Sequence, residues 1–305
     1  MSTTSEQNMT PLAAIRAFPA RKFIALKRLI SVLTLFWRSR IVQNFCNMNR
    51  AFPAAEVAIG NGPVTELPPG KPMQLPDGAS DWITRRTVTS LMVLHKGHVV
   101  HEDYYLGTGP QDRRISWSTA KSYLSALFGV VLAEGAIASL NDPVTKYVPR
   151  LKGSAYDGAS VLNVLQMTSG IEFNEEYLEF FSDINRMGRV LALGGTMDGF
   201  TAARTTREFS PGERWGYVSI DTHVIGMIIR GATGRDIPSL MSEKIIAPMG
   251  LETVPYYLTD GVGEAFVLGG FNATTRDYAR FGLMYAQNGM LNGKQIVPAD
   301  WVAAS

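Results

Sequence analysis

The chain has 305 residues, 46% of them hydrophobic and 18% charged, with a formal net charge of +2. That length and apolar content support a sizeable core and exclude global disorder, and the near-neutral balance gives no reason to expect a nucleic-acid partner. One cysteine, Cys46, excludes an internal disulfide framework and suits a reducing compartment.

Residues 1–50 hold eight Lys or Arg and one acidic residue, a net +7, so the remaining 255 residues carry −5. Within them Phe23 to Trp37 is an apolar stretch with basic flanks, and its uninterrupted run, Leu29 to Trp37, is too short to span a bilayer, which needs about 20 residues. Arg38 and Arg40 come next, with no small-residue cleavage site, so a secretory signal fits poorly. A basic helical extension over 1–50 is expected, docked on the rest of the chain; the alternative is weak contact with an anionic membrane surface through residues 16–40. A cytoplasmic location is expected, with a periplasmic or inner-membrane-peripheral one as the alternative.

Residues 60–80 are rich in Pro and Gly and read as an extended connection. Thr87 to Lys96 and His98 to Leu106 are alternating runs joined at Lys96-Gly97, which predicts a hairpin beginning the main sheet. His95, His98 and His101 alternate along it as strand residues, and no metal site is expected. Next, Ala120, Tyr123, Leu124, Leu127, Phe128, Val131 and Leu132 recur with helical spacing, and Gly135 can cap the C-terminus. Glu172 to Asn185 holds Glu175, Glu176, Glu179 and Asp183; it predicts a loop or helix beside the substrate, whose acidic groups either select an amine or form a solvated face. Gly194-Gly195 lacks the strand and spacing of a dinucleotide site, and no cofactor is expected. Pro211-Gly212 precedes Tyr217-Val218-Ser219. Asp221 reads as the N-cap of a helix carrying Val224, Ile225, Ile228 and Ile229, which sets aside a Ser-His-Asp reading through the nearby His223.

The chemistry concentrates at Ser118-Thr119-Ala120-Lys121. Three residues apart at a helix start, Ser118 and Lys121 lie on one face within reach of each other. A lysine that is desolvated and near the positive end of a helix dipole gives up its proton more easily, and the neutral amine can then accept the proton of a serine hydroxyl. The Ser118 backbone N–H is also available to a developing oxyanion.

Ser118-x-x-Lys121 and Tyr217-x-Ser219 resemble the first two motifs of the serine β-lactamase and penicillin-recognising superfamily, in its class C, esterase and DD-peptidase branch. Asn141-Asp142-Pro143-Val144, Val164 to Gly170, Phe209-Ser210-Pro211-Gly212 and Leu268 to Gly282 extend the resemblance over roughly residues 50 to 305. Tyr-x-Ser in place of Tyr-x-Asn is most similar to the aminohexanoate-dimer hydrolases and related carboxylesterases. The resemblance implies an α+β fold, an antiparallel sheet flanked by helices plus a mainly helical part. A hydrolase domain over 51–305 then has its sheet part at about 51–112 and 240–305 and its helical part at about 113–239. It also implies that Ser118 is the acylated nucleophile, Lys121 its proton acceptor, Tyr217 the proton shuttle, and Ser219 a pocket residue bonded to Lys121 or substrate.

The third motif of that superfamily, a Lys-Thr-Gly or His-x-Gly that follows the first two along the chain, does not occur after Tyr217-x-Ser219, and His95-Lys96-Gly97 lies ahead of both motifs, so the sheet is expected to be truncated at the C-terminus. The expected function is a cofactor-free serine hydrolase acting on amide or ester bonds of small molecules. A β-lactamase or DD-peptidase and a non-catalytic ligand-binding relative are the alternatives.

Overall fold

The computed structural model describes residues 28–305. The first part of the expected N-terminal extension, including the start of the Phe23 to Trp37 run and residues 16–27 of the expected membrane contact, lies outside the described residues. Helix α1, described over 28–33, and α2 (Ile41–Phe45) are tied together by Asn44 Nδ2, which donates to the carbonyls of Thr34 and Leu35 at 2.9 and 3.2 Å. Leu35 is buried in the main core, so this segment docks on the body of the protein.

The main sheet gathers strands from far apart in the sequence. β1 (Ala54–Glu56) is followed by α3 (Ala79–Arg85), the hairpin β2 (Ser90–His95) and β3 (His98–Tyr104), and β4 (Arg114–Ile115). β5 (Tyr256–Leu258) and β6 (Phe271–Ala273) complete a four-stranded antiparallel sheet in the order β1-β5-β6-β4. Lys96 and Gly97 turn the hairpin with φ of +51° and +81°, the conformation two-residue hairpin loops favour.

The hairpin does not begin the main sheet; it forms a separate two-stranded one. Tertiary neighbours occupy it. The Pro-Gly connection runs beside β3, with Gly70 N donating to Val99 O and Val99 N to Pro68 O, both at 2.8 Å. Side chains beyond β6 bind it too: Thr275 Oγ1 donates to Ser90 Oγ at 2.8 Å, and Arg276 pairs with Glu102 through two bonds of 2.8 Å.

Between β4 and β5 the chain is mainly helical: α4 (Ala120–Ala133), α5 (Val144–Tyr147), α6 (Val161–Leu165), α7 (Asp183–Ala192), α8 (Met197–Ala202), α9 (Ser219–Thr233), α10 (Ile237–Met241) and α11 (Ala247–Met249). α4 ends as its sequence dictates. Gly135 takes φ +79°, its N–H bonds Leu132 O and that of Ala136 bonds Val131 O, the paired bonds of a Schellman cap. α9 is buried from Ser219 through Ile229 and packs against α4, α5, α6 and α8. After β6 come α12 (Thr275–Ala286), β7 (Met290–Leu291), β8 (Lys294–Gln295) and α13 (Ala299–Ala304). α13 lays Trp301 over Gly129 of α4, where its Nε1 donates to Ser125 O at 2.9 Å.

Candidate active site

The site forms where β4 leaves the sheet and turns into α4. The Ser116 N–H still extends the ladder, donating to Phe271 O at 2.8 Å. The next residue, Trp117, has φ +44°, the left-handed region uncommon for a side-chain-bearing residue. Its indole stacks on Phe36 at 6.1 Å and meets the edge of Phe45 at 5.5 Å. This bend puts Ser118 in a 3-10 turn, Trp117–Thr119, immediately before α4 and on the exposed side.

Lys121 stands one turn further on, facing Ser118. Its Nζ lies 3.1 Å from Ser118 Oγ and donates to Leu268 O at 2.9 Å, from the segment that leads into β6. Burial pushes the Lys121 ammonium below the usual lysine range, against the opposing pull of Tyr217 and Glu175.

Tyr217 arrives from the other side. A turn closed by Glu213 N to Ser210 O at 3.0 Å and the bond from Gly216 N to Met167 O at 3.1 Å hold the irregular segment that precedes α9. The Tyr217 hydroxyl lies 2.9 Å from Ser118 Oγ, and Lys121 Nζ lies 5.3 Å from its ring centroid. Burial opposes the phenolate, but hydrogen bonds with Ser118 and Lys121 and the Lys121 charge outweigh it, so Tyr217 lies below the ordinary phenol value.

The fourth residue, Ser219, is buried and lines the cavity, but its partner differs from the expected Lys121. Its Oγ donates to Glu175 Oε2 at 3.2 Å, and its backbone N–H bonds Glu175 Oε1. Glu175 thus takes up the N-terminus of α9, where a negative charge is favourable. The acidic run flagged this residue, yet nothing in the run separates it from the exposed Glu176 and Glu179.

Asp221 is not an N-cap. It lies inside α9, fully buried, where its Oδ1 accepts from Tyr156 Oη at 2.7 Å and from Ser169 Oγ at 2.9 Å. An apolar pattern at Val224 and Ile228 marks the helix but not its first residue, and a carboxylate from another segment supplies the cap. His223 turns away to Asp198: its Nε2 sits 2.8 Å from Asp198 Oδ1, which also accepts from Arg230 at 2.6 Å. Among the described residues no group of three His, Cys, Asp or Glu is placed to hold a metal ion, and no helix is long and apolar enough to cross a membrane.

Ser118, Lys121 and Ser219 open into a cavity of about 480 Å³, within the roughly 300–1,000 Å³ typical of small-molecule sites.

Residues 82–305 match the family described as Beta-lactamase. A 6-aminohexanoate-dimer hydrolase from Paenarthrobacter ureafaciens is 32% identical over 218 residues, 70% of this chain, and the match covers 55% of that protein's length. Among solved structures, a Bacillus anthracis protein assigned as a 6-aminohexanoate-dimer hydrolase superposes with a TM-score of 0.78 at 23% identity, covering 87% of this chain and 73% of that one. A D-stereospecific amidohydrolase from Streptomyces sp. superposes with a TM-score of 0.52 at 22% identity, covering 67% of each chain. At those identities the two structures speak for the fold, an α+β arrangement of antiparallel strands and helices. The family match extends over most of the sequence and includes the turn, the helix and the irregular segment that carry Ser118, Lys121 and Tyr217, and the chain belongs to the beta-lactamase family.

Proposed function

We propose that the protein is a serine hydrolase that cleaves amide or ester bonds of small molecules through an acyl-enzyme on Ser118. The observation that supports this most is the convergence of two proton carriers on one hydroxyl, Lys121 Nζ at 3.1 Å and Tyr217 Oη at 2.9 Å from Ser118 Oγ. Both titrate on the side that favours catalysis, lysine towards its neutral form and tyrosine towards phenolate.

In this reading neutral Lys121 takes the Ser118 proton as Oγ attacks the carbonyl carbon. The Ser118 backbone N–H, at the start of the 3-10 turn, is the donor to the developing oxyanion in this reading, the N–H of Thr119 being bonded to Ser116 O. Lys121 hands that proton on through Tyr217 to the departing amine or alcohol, and Tyr217 then draws one from the water that releases the acid, which is returned to Ser118 Oγ. Every proton removed is returned, so the cycle needs no cofactor.

Amidase or esterase chemistry is favoured over β-lactam hydrolysis. The 32% identity to a 6-aminohexanoate-dimer hydrolase supports this, and among the described residues the two cations lining the cavity each donate to a backbone carbonyl. Lys121 binds Leu268 O, and Arg189 donates to Phe180 O at 2.6 Å.

The test is labelling with a fluorophosphonate followed by peptide mapping, together with stopped-flow turnover of p-nitrophenyl acetate. A single adduct on Ser118 and a burst of nitrophenol are expected. An adduct elsewhere, or undiminished turnover in Ser118→Ala, would remove Ser118 from the reaction.

A further inference from the structure

The cavity beside Ser118 is walled by segments that the reaction itself does not require. Leu35 and Phe36 come from the N-terminal segment, Met187 and Leu191 from α7, and Phe266 from the loop before β6. The first two lie outside the residues that match the family, 82–305. Phe36 is held there by its stack on Trp117 at 6.1 Å, the indole that Phe45 meets edge-on at 5.5 Å beside the nucleophile.

The charge of the lining is as informative as its shape. Among the described residues no Asp or Glu lines the cavity. The carboxylate beside the site, Glu175, is spent on Ser219 and receives the Tyr177 hydroxyl at 3.2 Å. An ammonium-bearing chain would therefore lose its hydration with no carboxylate to receive it, which argues against the amine selection that the acidic run suggested.

Tyr217 gives the cavity a direction. It borders a second cleft, with Met167, Phe209 and Trp215, while its hydroxyl reaches Ser118 Oγ at 2.9 Å. A group that receives its proton from Tyr217 departs on that side, so the part of the substrate retained on Ser118 occupies the apolar cavity.

We infer that the cavity is an acyl pocket for uncharged, apolar, medium-length chains, and that Phe36 and its neighbours in the N-terminal segment set this specificity. The inference rests on the proposed acyl-enzyme and adds its substrate class. Burying successive methylenes in such a pocket raises kcat/KM about fourfold each until the pocket is full.

Gly188 offers a clean obstruction. It lies on the cavity side of α7, and a Cβ added there meets nothing within 4 Å, so Gly188→Phe can fill the pocket without displacing backbone. The experiment measures kcat/KM of the full chain, Gly188→Phe and Phe36→Ala on p-nitrophenyl acetate, butyrate, hexanoate and octanoate, and on the 6-aminohexanoyl ester. Fluorophosphonate labelling of Ser118 is followed in parallel.

The expected result is a rise from acetate towards octanoate in the unmodified chain and at least a tenfold preference for hexanoyl over 6-aminohexanoyl. Each variant should lower the octanoate-to-acetate ratio, Gly188→Phe by tenfold or more. A flat length profile with Ser118 still labelled, a preference for the aminohexanoyl ester, or a ratio unmoved by Gly188→Phe overturns the acyl pocket and leaves the hydrolase standing. Absence of both turnover and labelling removes the acyl-enzyme and the pocket assignment with it.

Discussion

Glu175 and Ser219, 44 positions apart, are joined by two hydrogen bonds at the N-terminus of α9: the carboxylate accepts from the Ser219 N–H and, at 3.2 Å, from its Oγ. A loop side chain thereby caps the helix that begins just after Tyr217. The same negative charge raises the proton affinity of Lys121. Glu175→Ala is expected to cost about 1 kcal/mol of stability, as loss of a cap does, and to move the acid limb of the kcat/KM profile to lower pH. Thermal melts and pH profiles of the two proteins check the pair of effects, and an unmoved limb would separate Glu175 from Lys121.

Tyr217→Phe tests the proton shuttle. Loss of a proton-transfer group slows turnover by about 10²- to 10⁴-fold. The hydroxyl also raises the Lys121 value by hydrogen bond and charge, against the burial that lowers it. Its removal leaves burial less opposed, so the surviving activity should show its acid limb at lower pH than the unmodified protein. A limb shifted upward would contradict the coupling of the two groups.

Asp221 ties stability to pH. Burial pushes its carboxyl up to about 7, against the hydrogen bonds from Tyr156 and Ser169. An unfolded aspartate titrates near about 3.9, so between about pH 4 and 7 the folded protein holds the extra proton and this residue's contribution to stability falls as pH rises. Asp221→Asn removes that slope. Melting temperatures at pH 5, 6, 7 and 8 should show the variant gaining on the unmodified protein with each step.

Gly129→Ala separates local preference from packing. In an isolated helix the change to alanine is favourable by about 1 kcal/mol. Here a Cβ would overlap the Trp301 indole, so α13 must shift or the α4 backbone must yield. A net loss of about 1–3 kcal/mol is expected, as overpacking costs. Denaturant unfolding measures it, and relief by Trp301→Leu in the Gly129→Ala background would assign the loss to this contact.

Much of the local structure was legible from near neighbours. Lys96-Gly97 specified the hairpin turn, the apolar spacing from Ala120 to Leu132 specified α4, and Gly135 its end. The spacing of Ser118 and Lys121 placed hydroxyl and amine together because both sit on one stretch of helical backbone. The N-cap assigned to Asp221 failed because its apolar neighbours report a helix and not which residue opens it.

What the tertiary structure decided are the encounters between distant segments. Tyr217 reaches Ser118 across 99 positions, Leu268 O receives Lys121, Glu175 caps α9, and Phe36 closes the cavity over Trp117. The hairpin stands apart from the main sheet for the same reason, its edge and face being taken by the Pro68 connection and α12. Periodicity, capping and turn chemistry are interactions among residues a few positions apart, so the sequence determines them by itself. Which carboxylate finds which N–H, and which aromatic side chain walls which pocket, depend on how whole elements pack, and no local run of residues encodes that.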